Sequence, residues 1–327
     1  SNASRRYTTR YMLIPTTVFS GFLGSGKTTI ISHLIDELQT SGKQVIYIKN
    51  EIGNENIDGA LMRGKHIQTK ELLNGCICCT LVGPFISAID EIVENFQPDR
   101  IIIEASGAAD PAAIALMIDA NPKLRRDGVI VIVDVVNFDG YKDISLTARN
   151  QAKFTDLIVF NKIELVDLAQ KRAVVGYIRE LNDHSPIVEA PGGKVSSRVV
   201  FGTDPAELNE MLEAFDHESA SPDENAHAHH AHADHLTQDG IESTTVTFPQ
   251  PPSQTELMTY LTSLPPAVFR VKGVLELAAG EQVIVNKVGV RTELTPWPAD
   301  QTLPAQTHLL VLIGFHLLDQ VTALQPH

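Results

Sequence analysis

The chain has 327 residues and a formal net charge of −14, from 26 Lys+Arg against 40 Asp+Glu. That balance disfavours counterion-driven binding to nucleic acid or to an anionic membrane surface, and runs such as Val129–Val133 and Leu309–Phe315 are strand-length, too short to span a bilayer. At this length, one large α/β domain and one smaller partner can each build a core without disulfide staples.

Ser1-Asn2-Ala3 reads as a tag remnant and is set aside. Arg5, Arg6 and Arg10 precede an apolar stretch, Met12–Leu23, but Pro15 interrupts it, so export is not expected. A cytoplasmic, reducing location fits the cysteine usage: three in all, within four residues. Thr17-Val18-Phe19 predicts a strand running into Gly21-Phe22-Leu23-Gly24-Ser25-Gly26-Lys27-Thr28-Thr29, a complete phosphate-binding loop. Glycines at 21, 24 and 26 let successive backbone N–H groups curl round an anion, and Ser25 and Thr29 belong to the same cradle. Lys27 brings a charge to the β/γ-phosphates, while Thr28 can place its hydroxyl on Mg²⁺. Ile30, Ile31, Leu34, Ile35 and Leu38 then recur at helical spacing, and Gly42 supplies a stop.

After a predicted strand at Val45–Ile48, the polar segment Lys49–Asp58 occupies the place of a nucleotide-sensing switch. Glu51 or Asp58 could position water or Mg²⁺ there, the alternative being solvated loop acids. Asn74-Gly75-Cys76-Ile77-Cys78-Cys79 follows. Three thiols this close suit a soft metal such as Zn²⁺ or Cu(I), with a fourth ligand from a carboxylate, a histidine, water or a second copy of the chain. Buried inert thiols or a redox switch are the alternatives. A helical stripe runs from Phe85 to Phe96, and further strands are predicted at Arg100–Glu104, Val129–Asp134, Asp156–Phe160 and Pro186–Glu189.

Ile101-Ile102-Ile103-Glu104-Ala105-Ser106-Gly107 has the form of a second phosphate-site element. Glu104 would hold Mg²⁺ through water, and Gly107 would offer its N–H to the γ-phosphate. Asn161-Lys162-Ile163-Glu164 closes a strand with a carboxylate able to accept from a guanine N1–H and 2-amino group. Glutamate is one methylene longer than the aspartate usual in guanine-binding loops, which leaves adenine open. Asp216–Gly240 is polar and reads as a linker; within it His227, His229, His230, His232 and His235 could collect Zn²⁺, Ni²⁺ or Co²⁺ reversibly, unless the tract is only compositionally biased. Beyond it, strands near Ser243–Phe248, Ala267–Leu277, Gln282–Asn286 and His308–Gly314 and a helix near Glu256–Leu264 predict a small α+β domain. The fold class is therefore α/β: a phosphate-loop NTPase parallel sheet with helices on both faces over 1–215, a histidine-rich linker over 216–240, and a small α+β domain over 241–327.

Together these motifs resemble the CobW-like family of phosphate-loop GTPases, relatives of the nickel-enzyme maturation GTPases UreG and HypB. The resemblance rests on Gly21–Thr29, Asn50-Glu51-x-Gly53, Gly75–Cys79, Glu104–Gly107 with Ala109-Asp110-Pro111, and Phe269–Gly273 with Trp297. It implies a Mg²⁺-dependent GTPase that cycles GTP and GDP; slow basal turnover is expected because no arginine finger or obvious general base can be assigned. Such a protein carries Zn²⁺ or Co²⁺ on Cys76, Cys78 and Cys79 to a client metalloprotein or cofactor-biosynthesis enzyme, as a monomer or homodimer. Lys27, Thr28, Glu104, Asn161 and Lys162 map to the nucleotide site, and Lys27, Glu104 and Asp58 are the candidate catalytic residues. Glu164 and Asn54 depart from the family pattern, which has acids Asp and Asp or Glu at those places. The rival readings are a GTP-dependent regulatory or scaffold protein with structural cysteines, and an ATP-driven assembly factor.

Overall fold

The structure, a computed structural model, describes residues 13–22, 24–50, 68–71, 82–105, 110–138, 154–202, 240–298, 303 and 307–326. Apolar runs alternate with amphipathic ones through the first two hundred residues, and each apolar run becomes a strand of one parallel sheet. Seven strands, β1 (Ile14–Ser20), β2 (Val45–Asn50), β3 (Gln68–Glu71), β4 (Arg100–Ala105), β5 (Leu124–Asp134), β6 (Leu157–Asn161) and β7 (Ile187–Ala190), pair in the order β3-β2-β4-β1-β5-β6-β7. Chain order reverses around β1, so the carboxyl ends of β1, β4, β5 and β6 gather at the switch point where α/β sheets bind ligands.

Side-chain alternation divides the sheet into two faces. Ile101 and Ile103 of β4 pack with Phe85, Ile89 and Ile92 of α2 (Val82–Phe96) and Ile114 and Ile118 of α3 (Pro111–Ala120). α4 (Leu168–Leu181) covers the same face over β5 and β6 through Val174. Ile102 faces the other way, with Tyr47 of β2, against Ile31, Leu34 and Ile35 of α1 (Lys27–Thr40). Helix starts follow local chemistry: Asp110 accepts from the Ala112 N–H ahead of Pro111, and Asp167 accepts from the Gln170 N–H.

Five further strands, β8 (Ile241–Thr247), β9 (Val268–Glu276), β10 (Gln282–Val288), β11 (Arg291–Pro296) and β12 (Leu309–Phe315), form an antiparallel sheet in the order β11-β10-β9-β12-β8. Val271, Leu275, Val285, Leu310 and Leu312 look toward Leu257 and Leu261 of α6 (Gln254–Ser263), a helix opened by a Ser253/Glu256 capping box; a short α5 (Ser197–Val200) precedes this sheet in the chain. The opposite face, with Val274, Ile284, Val311 and Ile313, joins the core built on α1.

Three strands depart from the sequence expectation: β3, whose Gln68-Thr69-Lys70-Glu71 carries no apolar signal and was not expected, β5 and β11. β5 begins at Leu124 rather than Val129, because Arg125 and Asp127 of its charged first half are buried among partners from elements distant in the sequence. β11 was not expected at all: Arg291-Thr292-Glu293 lacks an apolar period, and its charges are matched by Asp156, just ahead of β6, and Arg125 of β5.

Candidate functional site

The phosphate loop takes its shape from backbone conformations that side chains resist. Gly21, Gly24 and Gly26 have φ of 143°, 77° and 89°, and Gly26 is the left-handed N-cap from which α1 starts at Lys27. The helix N-terminus thereby points its unpaired N–H groups at the loop's hollow. Lys27 is buried and donates to the Gly21 and Phe22 carbonyls at 2.8 and 3.1 Å, which lays its ammonium across the loop. The Ser25 hydroxyl is buried without a hydrogen-bond partner, an orphaned donor inside a cradle suited to an anion. Thr29 is exposed on the first turn.

On one side the loop meets the end of β4. Thr28 Oγ1 lies 3.0 and 3.2 Å from the two Glu104 carboxylate oxygens, and the Tyr47 hydroxyl donates to Glu104 Oε2. Burial pushes the Glu104 carboxyl up from its ordinary value, opposed by the hydrogen bond from Tyr47, the charges of Lys27 and Lys49, and the Thr28 hydroxyl. A hydroxyl and a carboxylate are hard oxygen donors, which fit a cation such as Mg²⁺.

On the other side the loop meets the end of β6. Asn161 donates from Nδ2 to the Ser25 carbonyl at 2.9 Å, and Lys162 donates to the Gly24 carbonyl at 3.1 Å. Lys162 adopts a left-handed φ of 62° and opens the turn Ile163–Leu165, in which Glu164 is exposed. Asp134, at the end of β5 and 1% exposed, fixes Lys162. Its Oδ2 accepts from Lys162 Nζ at 2.6 Å and from Asn137 Nδ2 at 2.8 Å, while Oδ1 accepts from the Val136 and Asn137 N–H groups. Burial alone would raise this carboxyl, but these donors outweigh it and hold it below its ordinary value.

The structure thus brings together Gly21, Gly24, Ser25, Gly26, Lys27, Thr28, Thr29, Glu104, Asn161 and Lys162, with Glu164 exposed in the turn that follows Lys162. Glu51, Asp58, Cys76, Cys78, Cys79, Gly107 and the five histidines from His227 to His235 lie outside the described residues. Among the described residues no three His, Cys, Asp or Glu side chains are grouped to hold a metal ion, and no helix is long and apolar enough to cross a membrane. Sequence reasoning missed Tyr47 and Asp134. A tyrosine in an apolar strand reads as core, and only cross-strand register puts its hydroxyl on Glu104; Asp134 carried a weak signal as the acid ending a buried strand.

Known proteins match along most of the chain. The profile of the CobW/HypB/UreG nucleotide-binding domain matches residues 15–189, and that of the cobalamin synthesis protein CobW C-terminal domain matches residues 241–323. A protein named zinc chaperone CobW from Sinorhizobium sp is 32% identical over 58% of this chain and 62% of its own length. Zinc chaperone YjiA from Escherichia coli K12 is 30% identical over 61% of this chain and 64% of its own. The chain therefore spans less than two thirds of the length of these curated relatives. The crystal structure of Zn(II)-bound YjiA GTPase from E. coli aligns with a TM-score of 0.45 at 21% identity, covering 96% of this chain and 98% of that one.

Proposed function

The chain belongs to the CobW/HypB/UreG family, and on that premise we propose that it is a GTP-binding and GTP-hydrolysing metallochaperone. Its cargo is a transition metal, zinc first and cobalt second, and its recipient a client metalloprotein or cofactor-biosynthesis enzyme. The observation that carries this reading is a phosphate loop joined to Glu104 on one flank and to Asn161 and Lys162 on the other. The names of the relatives, both zinc chaperones, support the choice of cargo.

In this reading Lys27 leaves its loop carbonyls for the β- and γ-phosphates, and the N–H groups opening α1 hold the same oxygens. Thr28 directly and Glu104 through water hold Mg²⁺, which when bound neutralises charge growing on the transferred phosphoryl group. Asn161 and Lys162 pack the base loop on the phosphate loop, and Glu164 accepts from the guanine edge. Cys76, Cys78 and Cys79 hold the cargo as thiolates, with the histidines from His227 to His235 as a local reservoir.

Coupling between nucleotide and cargo has a physical route. β2 ends at Asn50, in register with Ala105, one residue beyond Glu104. β2, which precedes Glu51 and Asp58 in the sequence, therefore ends beside the Thr28–Glu104 pair, and β3, which precedes the cysteines, ends at Glu71 opposite Lys49. Whatever factor GTP adds to metal affinity, metal must add to GTP affinity. Chelator competition for Zn²⁺ on reduced protein, with and without Mg²⁺ and a non-hydrolysable GTP analogue, tests this in the native chain and in a Cys76/Cys78/Cys79→Ala variant. Tight binding that needs the cysteines and strengthens with the analogue is expected. Binding that ignores nucleotide, or survives in the variant, overturns the reading.

A further inference from the structure

Glu104 has a neighbour that a phosphate loop does not require. Tyr47 is 1% exposed, sits opposite Ile102 in the β2–β4 register, and packs its ring in the apolar layer under α1. Lys49 is the residue directly opposite Glu104, so Tyr47 and Glu104 are diagonal neighbours on one face of two adjacent strands. A long aromatic side chain spans such a diagonal, and here it brings the phenol to Glu104 Oε2. Phenylalanine would fill the same apolar space. A buried hydroxyl costs free energy unless it is used, and this one is used on the carboxylate that also receives Thr28.

We propose that Tyr47 is a positioning residue for the cation at the phosphate loop: its hydroxyl fixes the Glu104 carboxylate so that Thr28 donates its proton to Glu104 and turns its oxygen lone pairs outward. With Oε2 engaged by Tyr47 and Thr28, Oε1 has Thr28 at 3.0 Å and keeps acceptor capacity for a water of the cation's shell. The pattern is that of an outer partner orienting a ligand, whose loss typically costs about 10–100-fold in metal affinity.

This inference rests on the Mg²⁺–GTP reading of the site. Its test is Mg²⁺ titration of fluorescent-GTP binding to the full chain, comparing the native protein, Tyr47→Phe, Glu104→Gln and the double variant, with thermal melting alongside. Tyr47→Phe should bind GTP normally in EDTA yet need at least about tenfold more Mg²⁺ for the half-maximal effect, and it should change nothing further in the Glu104→Gln background. An unchanged Mg²⁺ midpoint, or a shift that persists undiminished in that background, overturns the proposal while leaving the GTP site intact. A lowered melting temperature with an unmoved midpoint gives Tyr47 a packing role alone and overturns it too. No GTP binding by the native chain overturns the functional reading itself.

Discussion

Gly26 shows how much of the site depends on a missing side chain. Its φ of 89° disfavours any L residue, and a Cβ there would lie 2.2 Å from Asn161 Nδ2, the atom that donates to the Ser25 carbonyl. Gly24 has a comparable φ of 77° but no atom within 4 Å of such a Cβ. The pair separates backbone strain from collision. Each Ala substitution should cost about 1–2 kcal/mol for the left-handed backbone. Gly26→Ala should further displace Asn161 and weaken GTP binding by about tenfold or more beyond Gly24→Ala, since a lost buried hydrogen bond costs about 1–3 kcal/mol. Fluorescent-GTP titration of the two variants decides it; equal affinities would mean that Asn161 does not couple the base loop to the phosphate loop.

At the scale of elements, β5 carries the argument for what a sequence can reveal. Its apolar second half, Val129–Val133, announced a buried strand, and Gly21–Thr29 and Asn161–Lys162 were legible because their chemistry sits in consecutive residues. The first half was not legible. Asp127 is the extra residue where the β1–β5 register shifts between Thr16 and Thr17, and its partners Gly202 and Asn286 lie 75 and 159 positions away. Tyr47 escaped for the same reason, since strand spacing gives a face and not a cross-strand partner. The other end of β5 yields a prediction. Asp134 uses both oxygens to accept four donors, so Asp134→Asn presents an amide N–H₂ where an acceptor is needed. Calorimetric GDP titration should show a weakening of about 1–3 kcal/mol. Lys162→Ala should show a similar loss and the double variant little more, because both changes release one ion pair from the Gly24 carbonyl. Additive losses would place the two residues in separate roles.

Across the whole molecule, the two sheets share a core, and a buried charge cluster sits where they meet. Asp127, fully buried, accepts from Arg100 at 2.6 Å, from the Gly202 N–H at 2.8 Å and from Asn286 of the second sheet. Arg291 of β11 reaches Asp156 at 2.9 Å and the Arg126 and Asp127 carbonyls, and Arg270 of β9 donates to the Val200 carbonyl. Arg100 also lies 4.4 Å over the Phe201 ring, which meets Phe19 edge-on just ahead of the phosphate loop. Burial would raise the Asp127 carboxyl, but Arg100, Arg270, Arg125 and the Gly202 N–H hold it far below its ordinary value, while burial, opposed by Asp127, brings Arg270 down to about 10. A depressed carboxyl contributes stability that is present above its unfolded value and lost as pH falls toward its folded one. The loss should therefore begin below about pH 4. Glu293, raised by burial against the charges of Arg125 and Arg291, works in the opposite sense: its contribution is present below its unfolded value and lost as pH rises through its folded one. Comparing urea unfolding of the native chain with Asp127→Asn, which retains Glu293, separates the two. The variant should be less stable at pH 7 by about 3–5 kcal/mol, because it leaves guanidinium groups buried without their carboxylate. The difference should shrink below about pH 4, where Asp127 of the unfolded native chain takes up a proton that the folded carboxyl resists. A difference that stays constant through that window would mean that the cluster does not draw its stability from the charge on Asp127.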